Sequence, residues 1–136
     1  MTAPDSSVVI PALMTSHEAH ERCRAELAGS SPRLIAHVAF ETVSVLTRMP
    51  EGQRVAPALV VDALARNFGD SWLALPAAGQ RLCLHAAVKA GLRGGALYDA
   101  LIAATASKHD ITLLSADRRA GTAYEAMGVR VRYVEE

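Results

Sequence analysis

Cysteine is scarce: Cys23 and Cys83 stand alone, with no CxxC pair. That argues against a zinc site and fits a reduced, cytoplasmic protein. No apolar run approaches the ~20 residues a membrane span needs. The N-terminal stretch MTAPDSSVVIPALM has no basic segment ahead of its apolar part, so no signal peptide is expected. An excess of charge of either sign is missing too, with 14 Lys and Arg against 14 Asp and Glu. Net charge therefore gives no argument for nucleic acid, although a local basic surface is not excluded. Gly91, Gly94 and Gly95 come without a GKS or GKT, so they form no phosphate loop, and His17 and His20 lack the HExxH spacing of a zinc helix. Repeats, linkers and low-complexity tracts are absent. What remains is a chain 51% hydrophobic and 21% charged, read as a single domain over 1–136 and large enough for a core without staples.

The elements follow in order. Pro4 limits any first strand to a short one. Asp5-Ser6-Ser7 offers a cap to Val8–Met14, with Pro11 interrupting that helix or sitting in its first turn. Ser16 caps a polar helix from His17 to Leu27, ended by Gly29. Leu34-Ile35-Ala36 reads as a strand, Val38–Met49 as a helix stopped by Pro50, and Pro57–Phe68 as a helix with the stripe Leu59, Val60, Ala63, Leu64. Leu59, Val60, Leu64 and Phe68 form either core or a dimer face. Ser71–Leu75 is a brief strand and Ala77–Ala90 a helix closed by Gly91. After Gly94-Gly95 comes a helix apolar nearly all round, then the buried strand Ile111–Leu114, a helix from about Asp117 to Met127, and a last strand Val129–Val134. Strands alternating with helices predict an α/β domain with a central, mostly parallel sheet flanked by helices.

Four acids sit where such elements do not ordinarily want charge. Asp5 follows the first strand and Asp117 the fourth. Asp99 lies in the first turn of the apolar helix, and Glu41 joins the stripe Val38, Val45, Met49 by helical spacing. Sites in open parallel sheets form beyond the carboxyl ends of the strands, so all four can gather at one edge. Converging carboxylates repel unless protonated or neutralised. A purely oxygen ligand set selects a hard cation, Mg²⁺ or Mn²⁺, which binds phosphate oxygens and lowers the pKa of water. Each acid also admits a structural reading. Asp5 and Asp117 serve as N-caps, Asp99 is met by the helix dipole, and Glu41 reaches solvent or pairs with Arg48. Arg48, Arg93, Arg118 and Arg119 flank the acids and are candidates for RNA phosphates, or ordinary solubilising charges.

The pieces Asp5–Val9 (DSSVV), Ala39–Pro50 (AFETVSVLTRMP), Gly94–Ala104 (GGALYDALIAA) and Leu113–Arg119 (LLSADRR) resemble the PIN-domain ribonucleases, specifically the VapC toxins of bacterial toxin–antitoxin pairs. The resemblance spans essentially the whole chain. It departs at the start, where only MTAP precedes Asp5. It implies a PIN-like three-layer fold and a Mg²⁺-dependent endoribonuclease (Mn²⁺ being the other candidate) with Asp5, Glu41, Asp99 and Asp117 as the catalytic, metal-holding acids. It further implies a supporting hydroxyl at Ser7, a small antitoxin partner, a homodimer and structured RNA, often tRNA, as substrate. Two alternatives fit the pattern less well. A haloacid-type phosphatase wants D-x-D after the first strand, which Asp5-Ser6-Ser7 lacks. A receiver-type phosphoacceptor wants a late lysine, and the only lysines are Lys89 and Lys108. A non-catalytic interaction module in which the acids are structural is the third reading.

Overall fold

The computed structural model describes residues 1–135. Three short strands form one parallel sheet in the order β1 (Thr2–Pro4), β2 (Thr112–Ser115), β3 (Val131–Tyr133). Ala3 faces Leu113 across the first pair, and Leu113 faces Val131 across the second. Seven helices surround the sheet: α1 (Ser6–Leu13), α2 (His20–Ala28), α3 (Ala36–Thr47), α4 (Pro57–Phe68), α5 (Ala77–Lys89), α6 (Ala96–Lys108) and α7 (Gly121–Ala126). Leu113 belongs to the main apolar cluster, with Ala3, Val38, Leu46, Leu64 and Ile102. Leu114, its neighbour in the strand, belongs to a separate cluster with Val8, Ala12, Cys23 and Val134. Successive side chains of a strand point to opposite faces, so the two clusters are the two sides of a sheet covered on both faces, the three-layer arrangement expected. Burying Leu113 and Leu114 completely contributes roughly 2 kcal/mol each. A third cluster, Leu75, Cys83, Ala87 and Ala100, joins α5 to α6.

Five local expectations need correction. Leu34-Ile35-Ala36 and Ser71–Leu75 are not strands. They meet only at the bridge Ile35–Leu73, because α3 starts at Ala36, directly after Ile35, and Pro76 caps α5 three residues after Leu73. The polar helix starts at His20, with Ala19 rather than Ser16 as its cap; the preceding turn is closed by His17 Nδ1, which accepts from the Ala19 N–H at 2.9 Å. The buried stripe of α3 is Val38, Ala39, Thr42 and Leu46, which leaves Glu41 on its flank instead of at its centre. On α4 only Val60 and Leu64 are core, and Leu59 faces outward. Pro11 lies inside α1, where it removes one backbone donor, yet the helix continues to Leu13. No helix of the described residues is long and apolar enough to cross a membrane.

Candidate active site

Asp5 leaves β1 and caps α1 at the same time. Its backbone N–H donates to Leu114 O at 2.9 Å, extending the β1–β2 ladder by one bond. Its side chain is 3% exposed and well supplied with donors. Oδ1 accepts from the Ser7 N–H at 3.0 Å and from the Ser7 hydroxyl, and Oδ2 accepts from Tyr124 OH at 2.6 Å. The Ser7 hydroxyl also accepts from the Ala116 N–H at 2.8 Å, tying the loop after β2 to α1. Burial raises the Asp5 pKa, opposed by the hydroxyls of Ser115, Ser7 and Tyr124. Burial, followed by the charge of Asp5, raises the Tyr124 pKa, so the phenol stays a donor. The reading of Asp5 as a cap is fulfilled, and the same carboxylate lies close enough to Glu41 and Asp99 to raise their pKa values.

Asp117 stands just beyond β2. Its N–H donates to Ser115 Oγ at 3.1 Å, and its Oδ1 accepts from the Arg119 N–H at 3.0 Å and from Arg119 Nε at 3.3 Å. That carboxylate opens the 3₁₀ turn Arg118–Ala120 leading into α7. A Cβ on Gly121 would sit 2.9 Å from Tyr133 OH, so a side chain there would push the outer end of that ring aside.

Asp99 and Glu41 are the uncompensated pair. Among the described residues Asp99 takes no ion pair and no side-chain hydrogen bond. Burial and then the charges of Asp5 and Asp117 push its pKa to about 6. Burial, then Asp99 and Asp5, push Glu41 to about 7 against a smaller opposing effect of the Ser6 hydroxyl. Glu41 Oε1 is buried without any partner. Its Oε2 lies 3.9 Å from His37 Nε2, but burial also lowers the pKa of His37. Both groups are driven toward their neutral forms, so this contact is not a working ion pair. His37 in turn stacks on Tyr98, with centroids 4.9 Å apart and planes 7° from parallel.

The four acids therefore share one electrostatic neighbourhood at the carboxyl ends of β1 and β2, with Asp99 sensing both Asp5 and Asp117. Among the described residues no group of three or more His, Cys, Asp and Glu side chains is arranged to hold a metal ion as it stands. The chemistry of the set nonetheless fits a hard cation. All donors are oxygen, two carboxyls are raised by burial and by the charge of neighbouring acids, and Glu41 Oε1 is an orphaned buried acceptor. Arg119 reaches the site through Asp117, while Arg118 lies over the Tyr133 ring, 4.4 Å from its centroid. Arg48 ends α3 and Arg93 precedes α6; both are exposed and make no ion pair with these acids among the described residues. Sequence reasoning missed Tyr124, Ser115 and His37. Only His37, four residues before Glu41 on one helix, had a spacing that gave it away.

A PIN-domain family model matches residues 3–125. The chain is 41% identical over 134 residues to Ribonuclease VapC40 of Mycobacterium tuberculosis, covering 98% of this chain and 99% of that protein. It is 37% identical over 129 residues to Ribonuclease VapC27 of the same organism, with 95% and 93% covered. Among solved structures, FitAcB from Neisseria gonorrhoeae superposes with a TM-score of 0.68 at 22% identity over 96% of both chains. FitAB bound to an IR36 DNA fragment gives 0.70 at 21% identity over 98% of this chain and 94% of that one. The structures agree in fold, and the two ribonucleases agree in sequence along nearly the whole length; the chain belongs to the PIN-domain family, on its VapC ribonuclease branch.

Proposed function

We propose that this chain is a divalent-metal-dependent endoribonuclease, a single PIN unit over 1–136 that acts as the toxin of a VapBC-type toxin–antitoxin pair in the cytoplasm. The observation that carries the reading is the uncompensated pair Glu41 and Asp99, raised to about 7 and about 6 beside the buried Asp5. A fold keeps repelling carboxyls together at a cost, and a bound cation removes that cost. Asp5, Glu41, Asp99 and Asp117 would hold Mg²⁺, or Mn²⁺, directly or through water. When bound, such a cation supplies neutralising charge for phosphate oxygens and a lowered pKa for water.

The chain's own groups then divide the remaining work. Tyr124 and Ser7 fix Asp5 in one rotamer, so the site is preorganised. Arg119 occupies one Asp117 oxygen and orients the carboxylate. Glu41, beside Asp99 and Asp5, is a carboxylate placed to accept a proton from an attacking water. Arg48, Arg93, Arg118 and Arg119 are the candidates for the RNA backbone. Single-stranded loops are the favoured cut sites, because unstacked bases are what proteins read in RNA, and tRNA offers such loops. The antitoxin and a second copy of the chain need apolar surface, and α4 and α5 leave Leu59, Val61, Leu84 and Val88 exposed.

The test is cleavage of a tRNA pool with Mg²⁺, with EDTA, and with an Asp99→Asn chain. Cutting only by the parent in Mg²⁺, leaving 5′-phosphate and 3′-hydroxyl ends, is expected. Full activity in EDTA, or 2′,3′-cyclic phosphate ends, would show a metal-free acid–base ribonuclease using the 2′-hydroxyl instead.

A further inference from the structure

Arg22 stands on α2 between two neighbouring concavities. The first, of 360 Å³, is lined by Ser7, Asp117, Arg22, His17 and Arg119 among others. The second, of 520 Å³, is lined by Arg22, Ala116, Arg118, Tyr133, Val134 and Glu135. Arg22 and Ala116 belong to both, so the two form one trough that includes Asp117, the acid beyond β2, and passes by the small side chain of Ala116. Arg22 is half-buried, and among the described residues its guanidinium makes no ion pair. The arginines of β3 and its approach differ in this respect: Arg132 bonds Glu26 at 2.7 Å and Arg130 bonds Asp110 at 3.0 Å. Among the described residues Arg119, Arg22 and Arg118 line the trough with the carboxylates of Asp117 and Glu135. The fork of Arg22 is thus left with donors and no acceptor, which suits a phosphate. Beyond it the Arg118 guanidinium sits over the Tyr133 ring, 4.4 Å from its centroid, and an arginine paired with an aromatic ring is a surface on which an unstacked base can lie.

We propose that Arg22 binds a backbone phosphate of single-stranded RNA, guiding the strand from the acidic site over Ala116 toward the Arg118–Tyr133 platform. This rests on the ribonuclease reading, because it supposes that the strand begins at the acids. Losing one phosphate contact to a single strand lowers the slope of log K against log salt by about 0.7, which at about 0.1 M salt is a fivefold loss of affinity.

The experiment uses the full chain carrying Asp99→Asn, so that bound RNA is not cut, and a short fluorescein-labelled single-stranded RNA of mixed sequence titrated by anisotropy over a range of salt. Arg22→Gln should bind about fivefold more weakly with the slope reduced by about 0.7. Arg22→Lys should recover the slope, and Glu135→Gln should tighten binding. A structural role for Arg22 would not move the slope in this charge-dependent way. If Arg22→Gln matches its parent in affinity and slope while Arg119→Gln weakens binding, Arg22 lies off the strand and the trough serves another partner, such as a protein. If the chain without Asp99→Asn also fails to cut any RNA in Mg²⁺, the ribonuclease reading falls with it; if that chain cuts RNA normally, only the role of Arg22 is lost.

Discussion

Replacing Glu41 by Gln should stabilise the metal-free protein at neutral and basic pH and leave it unchanged in acid. Folding raises this carboxyl from its ordinary value near 4.5 to about 7. A carboxyl whose pKa rises on folding binds protons more tightly in the folded state, so stability falls as pH climbs above the unfolded value and levels off above the folded one. The window is therefore about pH 4.5 to 7. At 1.36 kcal/mol per tenfold shift the penalty is roughly 3 kcal/mol. The side chain is 31% exposed, and solvent screening trims that to about 2 kcal/mol. In a domain of this size 2 kcal/mol is about 6 °C of Tm. Thermal melts in EDTA from pH 4.5 to 8 should show the parent and Glu41→Gln together in acid and separating by about 6 °C at pH 8, with the mutant higher. Adding Mg²⁺ should reverse the order at pH 8, because the mutant has lost a ligand. Parallel melting curves at every pH, or a mutant that melts lower in EDTA at pH 8, would refute the idea that the site stores uncompensated charge.

Three further outcomes follow from the same geometry. Asp99→Asn should show no detectable cleavage while melting in EDTA at least as high as the parent, since it removes a charge raised to about 6 beside Asp5 and Asp117; activity in the purified variant would sink the assignment. Mg²⁺ at a hundredfold excess over its Kd should stabilise the parent by about 2.7 kcal/mol, read as a rise of about 8 °C in Tm, and no shift would count against a cation site. Tyr124→Phe removes a 2.6 Å bond to the buried Asp5 carboxylate and should cost about 1–3 kcal/mol in urea unfolding; a loss near zero would mean that Asp5 is held by Ser7 alone.

Local chemistry made much of the fold and the four acids legible. Gly94-Gly95, the apolar run from Ala96 and the strand through Leu114 lie close to where composition and spacing placed them. Asp5, Asp99 and Asp117 stood out because each is a charge in a segment of otherwise apolar character, a conflict visible without coordinates. Glu41 stood out for a reason the structure revises: the buried face of α3 is rotated by about one residue from the face that spacing indicated, since Ala39 and Thr42 are core although neither is strongly apolar. Small residues carry weak periodicity, so the side of a helix that faces inward is settled by what packs on it. The same limit erased two strands. Ile35 and Leu73 have the β-branched or aliphatic character of strand residues, yet each forms only a bridge, because pairing length depends on where the neighbouring helices begin.

What the sequence by itself determined was which residues conflict with their surroundings, because a misplaced charge and an element's periodicity are properties of neighbours along the chain. What only the tertiary structure decided was how each conflict is met. Tyr124 donates to Asp5 from 119 positions away, the Ser7 hydroxyl ties α1 to Ala116, and Arg22 faces the same trough as Asp117. Those relations are created by the closing of the sheet, which brings β1 against β2, and nothing in the spacing of the residues records them.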